Sequence, residues 1–252
     1  MPVKSILITG CSRGLGLEFV KQFVSLKDPP KIIFATCRKP SEAAKLNDIA
    51  KASTQTKVLV EKLDVLSDDD RKRLVSKVEA VVGSEGLNVV LNNAAIMDWS
   101  KKDLLSQTES SLMEHLHNNT ISPILVAQAF LPLLLKASRA NEHLPLGIAR
   151  AAIINMSTKW GSVSGNTDTG PWPYKISKAA LNMATRSMAR ELSPQGILVL
   201  LLHPGWVRTD MGGPQGMVDV ETSITGLLKF ITRAGDQHTG QFCDYAGRPI
   251  PW

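Results

Sequence analysis

A chain of 252 residues that is 43% hydrophobic but only 5% aromatic can bury one large core, built mainly from Ile, Leu, Val and Ala. Its cysteines, Cys11, Cys37 and Cys243, lie far apart with no C-x-x-C pair, which argues against a disulfide framework or a zinc knuckle and suits a reducing compartment. The net charge of +6 comes from dispersed Lys and Arg; the densest run, DDDRKRL at 68–74, begins with three acids and reads as a solvated helix face, so no nucleic-acid partner is expected.

In chain order, apolar runs alternate with helical periodicity. Residues 3–9 read as a strand and 14–26 as a helix. KIIFATC at 31–37 is a second strand, 41–50 a second helix and 57–63 a third strand. A helix follows over 67–82, with Ser67 as its N-cap three residues before Asp70. NVVL at 88–91 is a short strand, and one long helix is expected over 109–137. AAIINM at 151–156 is a strand, 174–192 a helix, and ILVLLLH at 197–203 a strongly apolar strand. A last helix spans 221–234, and 240–243 closes the sheet; the polar stretch 138–149 reads as a surface loop.

Apolar strands separated by helices imply an α/β fold: a single-domain, Rossmann-type, doubly wound parallel sheet of about seven strands with helices on both faces. No linker divides the chain, so 1–252 reads as one domain, with a cofactor half over about 1–150 and a catalytic and substrate half over about 151–252. The longest apolar stretch, ISPILVAQAFLPLLL at 121–135, is broken by Pro123, Gln128 and Pro132, whereas a membrane span needs roughly 20 nearly uninterrupted apolar residues. No membrane association is expected. No leader pattern or C-terminal sorting signal is visible, so the expected location is cytoplasmic, and the sequons at Asn118 and Asn155 are expected to stay unmodified.

In a sheet of this kind ligands sit outside the carboxyl ends of the strands. After the first strand comes TGCSRGLG, 9–16, whose glycines 10, 14 and 16 let a turn close and main-chain N–H groups approach a pyrophosphate. The second strand ends in ATCRKP, 35–40, with no acid for a ribose 2′-hydroxyl; Arg38 and Lys39, with Arg13 in the glycine turn, suit a 2′-phosphate, hence NADP(H). The third ends in LDV, where Asp64 either accepts from an adenine amino group or caps the next helix. The fourth runs into NNAA, 92–95, whose asparagines can tie strand ends together. In WPYKISKAAL, 172–181, Tyr174 and Lys178 are four residues apart and share a helix face. His115 and His117 are two apart and no H-E-x-x-H exists, so no metal is expected. GSVSG at 161–165 has Val163 where a nucleophile elbow needs Ser, and His203 reads as a satisfied core histidine.

TGCSRGLG, NNAA, Ser157 after IINM, YKISK and HPGWVRTD occur in the order and spacing of the short-chain dehydrogenase/reductase family, which the chain resembles over nearly its whole length. NNAA departs from the family's usual NNAG by one small residue. The segment NNTISPILVAQAFLPLLLKA, the STKWGSV stretch and the ending DYAGRPIPW look like the sniffer-type carbonyl reductases of that family. The resemblance implies a catalytic set of Asn119, Ser157, Tyr174 and Lys178. It implies cofactor contacts from Gly10, Ser12, Arg13, Gly14, Leu15, Gly16, Arg38, Asp64, Val65, Asn92, Ala94, Tyr174, Lys178, Pro204, Gly205, Val207 and Thr209.

Tyr174 would protonate the alkoxide left by hydride transfer to a carbonyl. Tuning a phenol from about 10 towards 7 takes roughly 4 kcal/mol, and one cation about 4 Å away supplies a similar amount at an effective dielectric near 20. Lys178 has the right sign and reach. Ser157 would bond the carbonyl oxygen, and Asn119, with Asn118 beside it, would help hold a water leading from Lys178. Met97, Trp160, Trp172, Trp206 and Met211 flank the site as candidates for an apolar pocket, and MGGPQGMV at 211–218 reads as a lid. The expected activity is NADPH-dependent reduction of a small-molecule carbonyl. The rivals are a non-catalytic NADP-binding regulator on the same fold and an alcohol or steroid dehydrogenase working in the oxidising direction. A homodimer through the long apolar helix and the Tyr174 helix is the expected assembly, with burial inside a monomer as the alternative.

Overall fold

The aliphatic runs become strands because both of their faces are covered. In the computed structural model, which describes residues 3–252, β1 (Ser5–Ile8), β2 (Ile32–Cys37), β3 (Lys57–Lys62), β4 (Val89–Asn92), β5 (Ala152–Met156), β6 (Leu198–His203) and β7 (Phe242–Asp244) form one sheet. The order is β3-β2-β1-β4-β5-β6-β7, and every pairing is parallel. Alternate residues of each strand feed opposite cores. Ile6, Ile8, Leu91 and Ile154 pack with Phe19 and Phe23 of α1 (Gly14–Val24), Leu46 of α2 (Ala44–Ala52) and Leu227 of α7 (Val220–Ile231). Leu7, Val90 and Ile153 pack on the other side, with Val78 of α3 (Asp68–Val82), Phe130 and Leu134 of α5 (Ser122–Ala140) and Leu192 of α6 (Trp172–Leu192).

β1 sits between β2 and β4, so crossovers leave it in both directions and a crevice opens at its carboxyl end. Its other end is locked to β4 by Asn88, whose Oδ1 accepts from Ser5 N–H at 3.1 Å and from Ser5 Oγ at 3.2 Å. α3 starts where expected: the Ser67 side chain accepts from Asp70 N–H, and Asp68, Asp69 and Asp70 fill the first turn, favourable at the positive end of the helix dipole.

Two helices depart from expectation. The segment expected as one helix over 41–50 begins with a tight turn at Pro40–Glu42, and α2 starts only at Ala44. The long helix expected over 109–137 is α4 (Glu109–Leu116), then a wide π turn at His117–Ile121, then α5. Pro123 has no N–H to give the Asn119 carbonyl four residues back, and Ser122 N–H bonds His117 O instead, one residue further than in an α-helix. The stretch 138–149 is loop only in part, since α5 continues to Ala140 and Ser138 and Asn141 are buried. Among the described residues, Glu109–Ala140 is long and apolar enough to cross a membrane, but that apolarity serves the core: Val126, Phe130, Leu133 and Leu134 are buried against the sheet and α3.

Candidate active site

The turn after β1 is shaped by contacts that a side chain would spoil. Gly10 has φ of +74°, and a Cβ there would lie 3.1 Å from Ala94 Cα. A Cβ on Gly16 would fall 2.2 Å from Gly10 O, so glycine lets α1 start directly against the strand end. α1 opens at Gly14 with no capping side chain and no acid in its first turn. Its leading N–H groups and the positive end of its dipole are therefore available to an anion. Thr9 Oγ1 accepts from Asn93 N–H and Ala94 N–H, both at 3.0 Å, and Asn93 Nδ2 donates to Thr9 O at 2.9 Å. These bonds weld the ends of β1 and β4 beside the turn.

The turn opens into a cleft of ≈ 770 Å³. Gly10, Ser12, Arg13, Gly14 and Leu15 line it, together with Ala94, Arg38, Asp64 and Val65. Of the three cations at its rim, Arg13 pairs with Asp210 at 3.2 Å and Lys39 with Glu42 at 2.9 Å, while Arg38 has no ion-pair partner among the described residues. Asp64 borders the cleft and does not cap the next helix, a place taken by Ser67; its Oδ1 accepts from Leu66 N–H at 3.1 Å and closes the turn before α3.

At the other end of the cleft, α6 is docked on the end of β5 by one helical face. Lys178 Nζ donates to Met156 O at 2.8 Å, Ser157 Oγ donates to Asn182 Oδ1 at 2.6 Å, and Asn155 Nδ2 donates to Thr185 Oγ1 at 2.9 Å. Tyr174 lies one turn before Lys178, whose Nζ is 5.8 Å from the phenol ring centre. Ser157, Tyr174 and Lys178 are buried and line the cleft. Burial pushes the Tyr174 phenol well above its ordinary value and pulls the Lys178 ammonium down to about 7. The expected lowering of the phenol by Lys178 is thus reversed with the protein's own groups alone. The dry wall that brings the pair together also withdraws the water both charges need, and Tyr174 keeps its proton. Pro204, Gly205, Val207 and Thr209 complete the cleft, and Thr209 Oγ1 accepts from Gly212 N–H at 3.0 Å.

Residues 4–217 match the family model described as short chain dehydrogenase. The chain belongs to this family. Among solved structures, the carbonyl reductase Sniffer of D. melanogaster superposes with a TM-score of 0.96 at 44% identity, covering 99% of this chain and 100% of that one. An NADPH-bound carbonyl reductase from chicken fatty liver gives 0.92 at 35% identity, with both chains fully covered. A curated relative, C-signal of Myxococcus xanthus, is 40% identical over 134 residues, which cover 53% of this chain and 74% of the relative. This short-chain dehydrogenase is an oxidoreductase acting on a small-molecule substrate.

The dehydrogenase fold places several residues differently from expectation. Asn92 ties strand ends together, one of the two roles read for it, rather than facing the cofactor cleft: its Nδ2 donates to Asn155 Oδ1 at 2.9 Å and Pro123 O at 3.2 Å, which joins β4, β5 and α5. Gly16 lies behind the turn as a packing point rather than on the cleft wall. The Asn119 amide does not face the cleft either. Its Oδ1 accepts from Ile96 N–H and its Nδ2 donates to Ile96 O, both at 2.9 Å, while Nδ2 also reaches Ser177 Oγ at 3.0 Å. Asn118 lines the cleft in its place. His203, expected to be a satisfied core residue, lines the cleft with Nδ1 buried and without a hydrogen-bond partner among the described residues, and burial, seconded by Lys159, holds it down to about 4.

The substrate end has an aromatic wall. Met97, Trp160, Trp206 and Met211 border the cleft, and Trp99 joins them; Trp172 does not, and its main-chain N–H donates to Lys101 O at 2.9 Å at the start of α6. Trp99 meets Trp160 edge-on at 5.6 Å, and its Nε1 donates to Met211 O at 2.9 Å, pinning the start of the segment expected to be a lid. Asp168 is the contributor that sequence patterns missed. Burial alone would raise its carboxyl, but Lys175, Gly170 N–H and the Trp160 indole outweigh that and hold it down to about 2. Nothing in the local TDTG string marks it. Asn182 had a usable signal, since it falls eight residues after Tyr174, on the same face of α6.

Proposed function

We propose that this oxidoreductase reduces a carbonyl, in an aldehyde, ketone or quinone, to an alcohol at the expense of NADPH, with Tyr174 as the proton donor. One observation carries this reading: a single cleft runs from an uncapped helix N-terminus and the unpaired Arg38 to Ser157, Tyr174 and Lys178. The glycine cradle that a Cβ would fill at Gly10, and the acid-free end of β2, fit the pyrophosphate and 2′-phosphate of that coenzyme. A nicotinamide bound there supplies the hydride.

The chain's own residues do the rest. Burial keeps the proton on Tyr174 Oη until an alkoxide, a far stronger base, forms against it. Lys178, fixed on Met156 O, stands one turn away as the nearest cation. Asn119 acts through Ile96 and Ser177: it fixes the loop beyond β4 against α6 and so sets the depth at which Tyr174 meets the cleft. The tryptophan wall excludes water and favours flat apolar substrates.

The test is to follow NADPH absorbance with a panel of aldehydes, ketones and quinones. Turnover with NADPH well above that with NADH is the expected result. Tight NADPH binding with no turnover on any carbonyl would replace this reading with that of a binding protein. A cytoplasmic homodimer goes with the proposal: the buried thiols suit a reducing compartment, and Met113, Ile121, Ile176 and Met183 are exposed on α4, the π turn and α6, which pack together. Light scattering decides the assembly.

A further inference from the structure

Loops from the carboxyl ends of three neighbouring strands meet at the substrate end of the cleft. Trp99 lies beyond β4, Trp160 and Asp168 beyond β5, and Met211 beyond β6, and all four line the cleft. One line of contacts joins them. Trp160 Nε1 donates to Asp168 Oδ2 at 2.8 Å. The Trp160 ring meets Trp99 edge-on, with 5.6 Å between centres, and Trp99 Nε1 donates to Met211 O at 2.9 Å. The other end of the line is anchored on α6, where Lys175 Nζ donates to Asp168 Oδ1 at 2.9 Å and to Asp168 O at 2.6 Å. Lys175 is buried and follows Tyr174 directly.

Asp168 is the branch point. Three donors converge on its two carboxylate oxygens: Trp160 Nε1, Lys175 Nζ and Gly170 N–H, the last at 3.1 Å. A carboxylate accepts at both oxygens, whereas an amide of the same shape has one acceptor and must turn its NH₂ towards another donor. Charge strengthens the bond to Lys175, whose side chain is shielded from water although that of Asp168 is half exposed. Gly170 packs against the same indole, since a Cβ there would lie 3.3 Å from Trp160 Cε2. The lid is tied more sparsely. Its hydrogen bonds from Trp206, Arg208 and Thr209 stay within its own loop, and among the described residues only Trp99 reaches 211–218 with a hydrogen bond from another loop.

We propose that Asp168 is a positioning residue that fixes Trp160, and through Trp99 the lid at Met211, to the helix carrying Tyr174, so that the wall for a flat apolar substrate is held in register with the catalytic phenol. The coupling stands on the contacts alone; its kinetic consequence rests on the proposed carbonyl reduction. A bicyclic quinone spans both the catalytic end and the tryptophans, whereas a short aliphatic aldehyde reaches only the catalytic end. Asp168 touches no reacting atom, so it governs how the larger substrate is held and not how fast the proton moves.

Two substitutions in the full chain separate the links. Asp168→Asn keeps the shape and removes the carboxylate. Trp99→Phe keeps a ring against Trp160 and removes the bond to Met211. Hydrogen exchange read by mass spectrometry follows the lid without turnover. Either substitution should speed exchange over 211–218 several-fold and leave β5 and β6 unchanged, and Asp168→Asn in the Trp99→Phe background should add nothing further. A merely space-filling role would leave the isosteric Asp168→Asn like wild type. Unchanged lid exchange in that variant, additive effects in the double variant, or faster exchange across the sheet as well, overturns the proposal.

The kinetic arm uses saturating NADPH. Asp168→Asn should raise KM for a bicyclic quinone roughly twofold to tenfold, the worth of one aromatic contact, and leave its kcat and the KM of a short aliphatic aldehyde in place. Equal rises for the two substrates, or a fall in kcat alone, overturns the proposal. If the wild type turns over no carbonyl but the lid responds as expected, the proposed reaction has failed while the positioning role of Asp168 stands.

Discussion

The two ends of the cleft are built on opposite principles. At the phosphate end the cations are exposed, and Arg13 and Lys39 are held by carboxylates that water also reaches. At the catalytic end Ser157, Tyr174 and Lys178 are buried, and Ser157 and Lys178 each have a fixed hydrogen-bond partner. Exposed charges act through screened, adjustable fields, whereas buried groups act through geometry and through the loss of water around them. The rim should therefore govern how tightly coenzyme binds and how salt affects it. The wall should govern rate and pH response.

Tyr174→Phe is the strongest way to break the comparison. It should cut turnover by about 10²–10⁴-fold, the usual worth of a positioned acid, with NADPH affinity by calorimetry nearly unchanged. Substantial residual turnover would remove Tyr174 from its role. The next effect is on stability. Lys178 is held at about 7 by burial, below its ordinary value of 10.5. Below pH 7 both folded and unfolded chains carry the proton, so the full cost of burying an ammonium is felt. Between about 7 and 10.5 the unfolded chain binds a proton that the folded one does not, so this group adds stability as pH rises, by roughly a few kcal/mol in all. Lys178→Met should accordingly gain most over wild type near pH 6 and least near pH 10, as read from urea midpoints at about those values. A gain independent of pH would mean that the ammonium is solvated.

The rim predictions are smaller. Arg38→Ala should weaken NADPH binding by roughly tenfold while barely touching NADH. Equal losses would show that Arg38 does not meet the 2′-phosphate. Asp210→Asn should tighten NADPH binding by about two- to fivefold at low salt, by releasing Arg13 from a competing carboxylate, and the gain should vanish at high ionic strength. A gain that survives salt would place this pair among the buried groups.

The difference between the two ends also explains what was legible in the sequence. Strand and helix positions followed from period and apolar runs, because a sheet covered on both faces leaves little freedom in composition. The glycine turn and the Tyr174–Lys178 pair were readable because their spacing is local. For Asn92 and Asn119 the place in the chain was readable, and for Asn92 a tie between strand ends as well, but the bonding partners were not. Each amide bonds a segment far off in sequence, Asn92 to β5 and α5, Asn119 to the loop at Ile96 and to α6. A side chain's direction depends on those partners, which no local pattern contains. The π turn had a signal in Pro123, which lies inside the helix expected over 109–137 and has no N–H to give the Asn119 carbonyl, but how the ladder widens to absorb that loss is not written in the local sequence. On the phenol's acidity, burial pulls against the pair of charges, because the water removed from both groups counts as well as their nearness.

The lock between Ser5 and Asn88 bears on the order in which the chain is made. β1 meets β2 early, through contacts such as Thr36 to Ile8, 28 residues apart, but its other neighbour is 83 residues away. On the ribosome, one edge of β1 stays open until β4 emerges. An apolar edge with unpaired N–H and C=O groups invites pairing with other chains. Synthesis that stalls within the first third of the chain should therefore yield aggregates rather than a soluble half-sheet, and substitutions at Ser5 or Asn88 should lower the yield of folded protein more than they lower the stability of what does fold.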